Sequence, residues 1–131
     1  MTGQNSNTEK ILAQLSKKNL NVDQVAIILN SPGEFPTGLI EKLSLETALN
    51  YWNGRINYID GDYIMNNIFA FWLTNENSAK DYKFPEIAWE CYLAFDSGEY
   101  YRTNDDRSSD PAEKYTRPLI RELLIKRQQI V

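Results

Sequence analysis

A run of large apolar side chains from Tyr63 to Leu73 is the feature that most limits what this chain can fold into. On a helix, these side chains fall nearly all round the axis: Ile64, Met65, Ile68, Phe69, Phe71 and Trp72. A helix that is apolar on all sides is a buried one, because none of its faces suits water. The sequence therefore predicts a central helix around which the other elements pack.

Three further helices are predicted in the first half of the chain. Apolar residues recur at helical spacing after Thr8, which is suited to cap a helix. The same spacing predicts helices over residues 22–29 and about 37–53. With the helices of the second half, the expected fold is all-α, with five to six short helices around the central one.

The length and the distribution of polar residues predict one domain. The chain has 131 residues, which suffices for a single hydrophobic core but not for two ordinary ones. Residues 1–7 are polar and predict a flexible N-terminal tail, so residues 8–131 are expected to form a single helical domain. No stretch approaches the twenty or so apolar residues that a membrane span requires.

Helix boundaries are also marked in the C-terminal half. A helix is predicted from Pro85 to Ser97, with Gly98 in the left-handed conformation at its end. Asp110, followed by proline, is typical of the cap of another helix. Pro118 is expected to break that helix, because a proline inside a helix costs on the order of 3 kcal/mol, and Thr116 would cap the continuation.

Two structures remain open for residues 55–65. Asp60-Gly61 between apolar runs is a strong signal for a turn between two strands, which would form a small β-hairpin near residues 56–65. Asp62 is also a good helix cap, and the segment from Tyr63 to Leu73 is long enough for a helix. A helix–turn–helix is preferred over the hairpin.

The side chains on which most enzymes and metal sites depend are absent or scarce. The chain has no histidine, one cysteine and no glycine-rich phosphate-binding motif. The carboxylate pairs Glu86 with Glu90 and Asp60 with Asp62 remain, but the latter does not continue as a calcium-binding loop. Cys91 lies in an apolar run, which predicts a buried thiol in a cytoplasmic protein. We therefore expect no catalytic residue, metal or cofactor.

Acidic residues are concentrated in the middle of the chain. Residues 60–110 carry a net charge of −7, whereas residues 1–59 are neutral and residues 111–131 carry +3. The aromatic residues Trp89 and Tyr92 could form a surface on which a ligand stacks, but their apolar neighbours in the sequence assign them to the core instead. Tyrosines alternate with the acids, a combination that suits the recognition of a partner, although a merely solvated surface is the alternative. The residues that this pattern predicts to contact a partner are Asp60, Asp62, Glu99, Tyr100, Tyr101, Asp105 and Asp106.

Two C-terminal stretches, AWECYLAFDSGEYYR and DPAEKYTRPLIRELL, resemble segments of small bacterial proteins encoded among toxin-immunity genes. The resemblance covers residues 88–124, under a third of the chain. Immunity proteins are compact, acidic and non-enzymatic, and each covers the catalytic or substrate-binding face of its cognate toxin. The resemblance implies such contacts for Asp96, Glu99, Tyr100 and Asp105, whereas its DPxE part is equally explained by helix capping.

The sequence thus predicts a non-enzymatic binding protein, an immunity protein that neutralises a bacterial toxin through an acidic, tyrosine-bearing surface. The expected partner is a protein with a basic surface, and not nucleic acid, whose phosphates bind basic surfaces. The free protein is expected to be a cytoplasmic monomer that does not associate with membranes. The alternative is a structural or adaptor subunit that joins a larger assembly through the helix from Leu119 to Val131.

Overall fold

A computed structural model describes residues 2–29, 37–74 and 83–130, with side chains from Thr8 onwards. The described residues form six α-helices and no strand, so the all-α prediction is confirmed and the suggested hairpin near residues 56–65 is wrong. The helices are α1 (Thr2–Leu15), α2 (Val22–Leu29), α3 (Thr37–Trp52), α4 (Tyr58–Thr74), α5 (Glu86–Ser97) and α6 (Arg117–Lys126), and a π-helical turn over Ala112–Thr116 leads directly into α6.

The predicted central helix is α4, which packs against α1, α2, α3 and α5. Ile64, Met65 and Ile68 are fully buried, and Trp72 is nearly so. One strip of the helix remains open to solvent, because Leu73 is 66% exposed. The prediction of a central helix is therefore confirmed, with one side of that helix at the surface rather than in the core.

The helix α4 begins at Tyr58, not at Tyr63 as the sequence suggests. Its cap is Asn57, whose Oδ1 accepts a hydrogen bond from the backbone N–H of Asp60 at 2.8 Å. Asp62, the predicted cap, instead lies in the second turn of the helix.

Gly61 explains why the Asp-Gly pair lies inside a helix and not in a hairpin turn. It is buried where α4 meets α5, and a Cβ atom at this position would overlap the ring of Phe95. Phe95 is fully buried, and the ring of Tyr51 packs against it with 5.2 Å between centroids. A glycine here therefore serves close packing between two helices and not a chain reversal.

The helix α1 begins at Thr2, so the backbone of residues 2–7, expected as a tail, is helical. Thr8, the predicted cap, is buried within the helix. By contrast, α2 and α3 begin and end within a residue of their predicted bounds.

The end of α5 differs from the prediction in conformation but not in position. Gly98 follows the helix as expected, but its φ of −91° is not left-handed. A Cβ atom on Gly98 would overlap the hydroxyl of Thr116. That hydroxyl donates a hydrogen bond to the backbone oxygen of Ala94 at 2.7 Å, which ties the π-helical turn to α5.

Pro118 is expected to break the C-terminal helix, but the helix continues through it. The capping role of Asp110 is confirmed, since its Oδ1 accepts a hydrogen bond from the N–H of Ala112 at 2.9 Å. The N–H of Arg117 then donates to the backbone oxygen of Ala112, a bond that spans one residue more than in an α-helix. The wider turn places an extra residue ahead of Pro118, so the proline lies in the first turn of α6, where its missing N–H is tolerated.

Candidate functional site

Three of the predicted contact residues meet where α4 begins and α5 ends, because the two helices pack antiparallel. Asp62 lies in the second turn of α4, Asp96 in the last turn of α5, and Glu99 two residues beyond α5. Asn66, one turn after Asp62, donates from Nδ2 to Oε2 of Glu99 at 3.2 Å. We call Asp62, Asp96 and Glu99 the carboxylate cluster.

The carboxylate cluster is electrostatically strained. The pKa of Asp62 is raised to about 8, first by burial and then by the hydrogen bond and negative charge of Glu99 and the charge of Asp96. Burial also raises the pKa of Asp96, followed by the charge of Glu99. Oδ1 of Asp62 is buried and has no hydrogen-bond partner among the described residues. The cluster therefore retains a proton near neutral pH, because carboxylates this close do not all ionise.

Three aromatic rings continue the same surface away from the carboxylates. The rings of Phe69 on α4 and Tyr92 on α5 stack with 4.2 Å between their centroids. Trp89 lies 5.5 Å from Phe69 and 5.9 Å from Tyr92, and it is 43% exposed. We call these residues the aromatic stack. Tyr92 is partly buried against the core as predicted, whereas Trp89, also assigned to the core, lies at the surface.

Tyr92 links the aromatic stack to the carboxylate cluster. Its pKa is raised by burial and then by the charges of Asp96, Glu99 and Asp62. At the opposite end, Leu73 follows Phe69 by one turn of α4 and is exposed. The result is one continuous surface, acidic at one end and aromatic at the other. We call it the α4–α5 face, and its residues are Asp62, Asn66, Phe69, Trp89, Tyr92, Asp96 and Glu99.

A partly buried hydrogen bond fixes the acidic end of the α4–α5 face. The phenol of Tyr58 donates to the backbone oxygen of Phe95 at 2.7 Å. Burial raises the pKa of this phenol far above its ordinary value, and the charges of the carboxylate cluster add to the effect. Together with the close approach at Gly61, this bond holds the first turns of α4 against the last turns of α5.

Asp105, another predicted contact residue, is engaged within the protein. Its carboxylate accepts hydrogen bonds from Nζ of Lys114 at 2.7 Å, from the hydroxyl of Tyr115 at 2.6 Å and from the backbone N–H of Arg102 at 2.7 Å. These bonds hold the pKa of Asp105 well below its usual range. Only 5% of the side chain is exposed, so Asp105 fastens the loop after α5 to the π-helical turn.

The two predicted tyrosines lie on the same loop. Tyr100 is 56% exposed, and the guanidinium of Arg102 lies 4.7 Å from its ring centroid. The hydroxyl of Tyr101 donates to the backbone oxygen of Arg107 at 3.1 Å. Tyr100 therefore offers more free surface to a partner than Tyr101 does.

The remaining predicted residues lie apart from the carboxylate cluster. Asp106 is exposed, and its Oδ1 accepts a hydrogen bond from the N–H of Ser108 at 2.9 Å, which shapes the loop. Asp60 lies partly exposed in the first turn of α4. No hydrogen bond or ion pair described for the chain joins either residue to the cluster.

The carboxylate pair Glu86 and Glu90 is neutralised by the end of the chain. Nζ of Lys126 lies 2.8 Å from Glu90 and 3.6 Å from Glu86, and Nη1 of Arg127 lies 3.0 Å from Glu90. Although partial burial raises the pKa of Glu90, the hydrogen bonds from Lys126 and Arg127 lower it more, and the net shift is downward. These glutamates therefore join α5 to the C-terminal helix.

Other kinds of site find little support in the part of the chain that the structure describes. Cys91 is buried, its thiol donates weakly to the backbone oxygen of Ser44 at 3.6 Å, and burial raises its pKa, which makes it unreactive. No group of three or more acidic or cysteine side chains there is arranged to hold a metal ion. None of the described helices combines the length and apolar character needed to cross a membrane.

Comparison of the chain with models of protein families, with curated proteins and with solved structures yields no match. The function of the α4–α5 face therefore has to be inferred from its own geometry and chemistry.

Asn66 and Phe69 belong to the α4–α5 face, although the sequence analysis does not single out Asn66 and assigns Phe69 to the buried central helix. The signal was present in their spacing, since residues 62, 66 and 69 share one side of a helix, as do residues 89, 92 and 96. That these two sides adjoin is a consequence of how α4 packs on α5, which spacing within each helix does not specify.

Proposed function

We propose that this protein is a non-catalytic binding protein whose α4–α5 face docks onto a basic surface of another protein. The observation that carries the proposal is the unpaired charge of the carboxylate cluster. None of the ion pairs among the described residues involves this cluster, whereas Asp105 and Glu90 are both paired. Arg102 attracts Asp96, but from beyond ion-pair distance.

The aromatic stack gives the same surface the area that a stable contact needs. Exposed aromatic residues such as Trp89 are common anchors of protein interfaces. Carboxylates beside them add charge complementarity, which accelerates encounter and selects basic partners. A surface that served only to keep the protein dissolved would need the carboxylates but not the exposed ring of Trp89 or the exposed Leu73.

The resemblance of residues 88–124 to immunity proteins favours a bacterial toxin as the partner. This segment includes four of the residues of the α4–α5 face, namely Trp89, Tyr92, Asp96 and Glu99. The resemblance and the geometry therefore draw attention to the same part of the molecule. In this role the protein covers a basic substrate-binding surface of the toxin, such as the phosphate-binding cleft of a nuclease.

The proposal predicts that a toxin domain is encoded in a gene next to this one, and co-expression of the two proteins tests it. We expect the parent protein to restore growth, and the double variant Asp96→Lys/Glu99→Lys to lose protection, because its cations repel a basic cleft. The matched control is Glu9→Lys/Glu41→Lys, which changes the net charge equally at exposed positions of α1 and α3. This control should still protect. Full protection by the Asp96→Lys/Glu99→Lys variant, with normal expression, would refute the proposal.

A role as an adaptor subunit is less favoured. It would use the predicted helix from Leu119 to Val131, but the helix α6 ends at Lys126, and Val131 lies outside the described residues. Ile130 packs against the core, and Lys126 and Arg127 bind α5. Among the described residues of this segment, the large apolar side chains left exposed are Leu119 and Ile125, so little apolar surface is free for a contact between subunits. Sedimentation velocity separates the two roles, since an adaptor predicts a stable oligomer and a neutralising protein predicts a monomer.

A further inference from the structure

Arginine side chains in this protein repeatedly lie on aromatic rings. Three guanidinium groups are within 3.7 to 4.6 Å of a ring centroid: Arg102 over Tyr115, Arg107 over Tyr101 and Arg117 over Trp52. Two of these guanidinium groups also donate a hydrogen bond to a backbone oxygen. Nη1 of Arg102 donates to the backbone oxygen of Ser97 at 2.6 Å, and Nη2 of Arg117 donates to that of Trp52 at 3.3 Å. The pattern is therefore a ring face combined with nearby oxygen acceptors.

A lysine on one of these rings is held differently. Nζ of Lys114 is 5.5 Å from the ring centroid of Tyr115, whereas Arg102 is 3.7 Å from the same centroid. Lys114 instead directs its ammonium group to Asp105. The difference follows from the planar, weakly hydrated guanidinium, which stacks on a ring, while the ammonium behaves as a strongly hydrated point charge.

The α4–α5 face also has a ring face and oxygen acceptors, although here the two lie at opposite ends of the surface. Trp89 presents a partly exposed indole, and no described lysine or arginine lies over the rings of Trp89, Tyr92 or Phe69. The carboxylate of Asp96 lies two turns further along α5 than Trp89, and two turns of an α-helix span about 10 Å. A partner with two suitably spaced cations would therefore fit both ends of the surface.

We propose that the partner segment that covers the α4–α5 face carries an arginine stacked on the indole of Trp89, with a second basic side chain at the carboxylate cluster. This inference rests on the proposed function and deepens it, because it specifies arginine and not merely positive charge. The ring of Trp89 selects the guanidinium, and the carboxylates of Asp96 and Glu99 supply attraction that arginine and lysine share.

The test uses hexa-arginine and hexa-lysine peptides as probes of the intact protein at low ionic strength. Binding is followed by nuclear magnetic resonance through the indole N–H of Trp89 and the backbone amides of Asp96 and Glu99. We expect hexa-arginine to bind about fivefold more tightly than hexa-lysine, the factor that a cation–ring contact of about 1 kcal/mol provides.

Substitutions at Trp89 decide whether the preference comes from its ring. Trp89→Leu should abolish the preference for arginine while the affinity for hexa-lysine stays within about twofold, and Trp89→Phe should retain part of the preference. Equal binding of both peptides by the parent, or an undiminished preference in Trp89→Leu, would overturn the inference. Both of those outcomes leave the proposed function intact.

A separate outcome bears on the proposed function itself. If the Asp96→Lys/Glu99→Lys variant bound both peptides as tightly as the parent, the α4–α5 face would not be the site of basic ligands. Both proposals would then fail. The variant Glu9→Lys/Glu41→Lys, with the same net charge, should bind like the parent apart from the small general effect of charge.

Discussion

Gly61 is the residue on which the contact between α4 and α5 most depends. A Cβ atom there would overlap the ring of Phe95, which is fully buried and packed against Tyr51 and Tyr58. A shift of this ring would therefore disturb its contacts with both tyrosines. Because the same contact brings Asp62 towards Asp96 and Glu99, the carboxylate cluster depends on a residue that has no side chain of its own.

Substitution of Gly61 by alanine is expected to destabilise the protein despite the better helix propensity of alanine. Overpacking of a core contact costs about 1 to 3 kcal/mol, against a gain of at most about 1 kcal/mol from propensity. Urea denaturation measures the difference. Gly38→Ala is the control, since nothing lies within 4 Å of the added Cβ in α3, and it should be neutral or slightly stabilising. Equal stability of the two variants would contradict the packing described for Gly61.

Asp62 makes the stability of the protein depend on pH. Its pKa is raised from 3.8 to about 8 in the folded protein, mainly by burial. Between these values the folded state holds a proton that the unfolded state has released, so the free energy of unfolding falls as pH rises and levels off above about 8. The acidic side chains of Asp96 and Glu99 and the neutral phenols of Tyr58 and Tyr92 surround Asp62. Among the described cations, Arg102 acts on Asp96.

The variant Asp62→Asn should therefore flatten this dependence. Thermal unfolding is followed by circular dichroism from pH 4 to pH 9. As pH rises, we expect the melting temperature of the variant to increase relative to that of the parent. Asp60→Asn, two residues before Asp62 in α4 and not part of the cluster, serves as the control and should keep the slope of the parent. A parent protein whose stability rose between pH 5 and pH 8 would show that the cluster does not hold its proton.

At the scale of elements, Thr116 joins the π-helical turn to α5. Its hydroxyl donates to the backbone oxygen of Ala94 in a fully buried position. Thr116→Val keeps the shape of the side chain and removes the donor, so we expect a loss of about 1 kcal/mol in the free energy of unfolding.

Thr74→Val provides the matched control for this prediction. Thr74 also donates from its hydroxyl to a backbone oxygen, that of Ala70 at 2.8 Å, but at an exposed position where water can replace the bond. The change should stay within about 0.5 kcal/mol. Urea denaturation of both variants gives the comparison, and an equal effect at the two positions would show that Thr116 does not join the elements as described.

The sequence predicts some of these elements well and others poorly, for physical reasons. The bounds of α2 and α3 follow from local apolar spacing. The start of α4 was missed because Gly61, which favours a turn locally, is required by packing against Phe95. The continuous helix through Pro118 was missed because the π-helical turn depends on the contact of Thr116 with α5.

The sequence likewise predicts some residues of the candidate site and misses others. The sequence predicts Asp62 and Glu99 from acids that alternate with tyrosines, and the resemblance implies Asp96 and again Glu99; the structure brings the three together. Asp105 was predicted by the same reasoning, but its carboxylate is used by Lys114 and Tyr115. Charge along the chain indicates which residues are acidic, while packing between distant elements decides which of them remain free to bind.

In the whole molecule, ion pairs between segments neutralise part of the uneven charge of the sequence. The basic C-terminal part is largely used inside the protein, through Lys114 with Asp105 and through Lys126 and Arg127 with Glu90. The negative charge of the carboxylate cluster is not balanced in this way among the described residues. A surplus of negative charge is therefore left at one end of the α4–α5 face, beside the aromatic stack.

The most direct test of a binding role for this face is calorimetric titration of the toxin domain that the proposal predicts, with the parent and the charge-reversal variants. We expect Asp96→Lys/Glu99→Lys to raise the dissociation constant by about 30-fold or more, because two carboxylates in the contact are replaced by repelling cations. The control Glu9→Lys/Glu41→Lys should raise it by less than about threefold. Equal weakening by both variants would mean that the α4–α5 face is not the surface that binds.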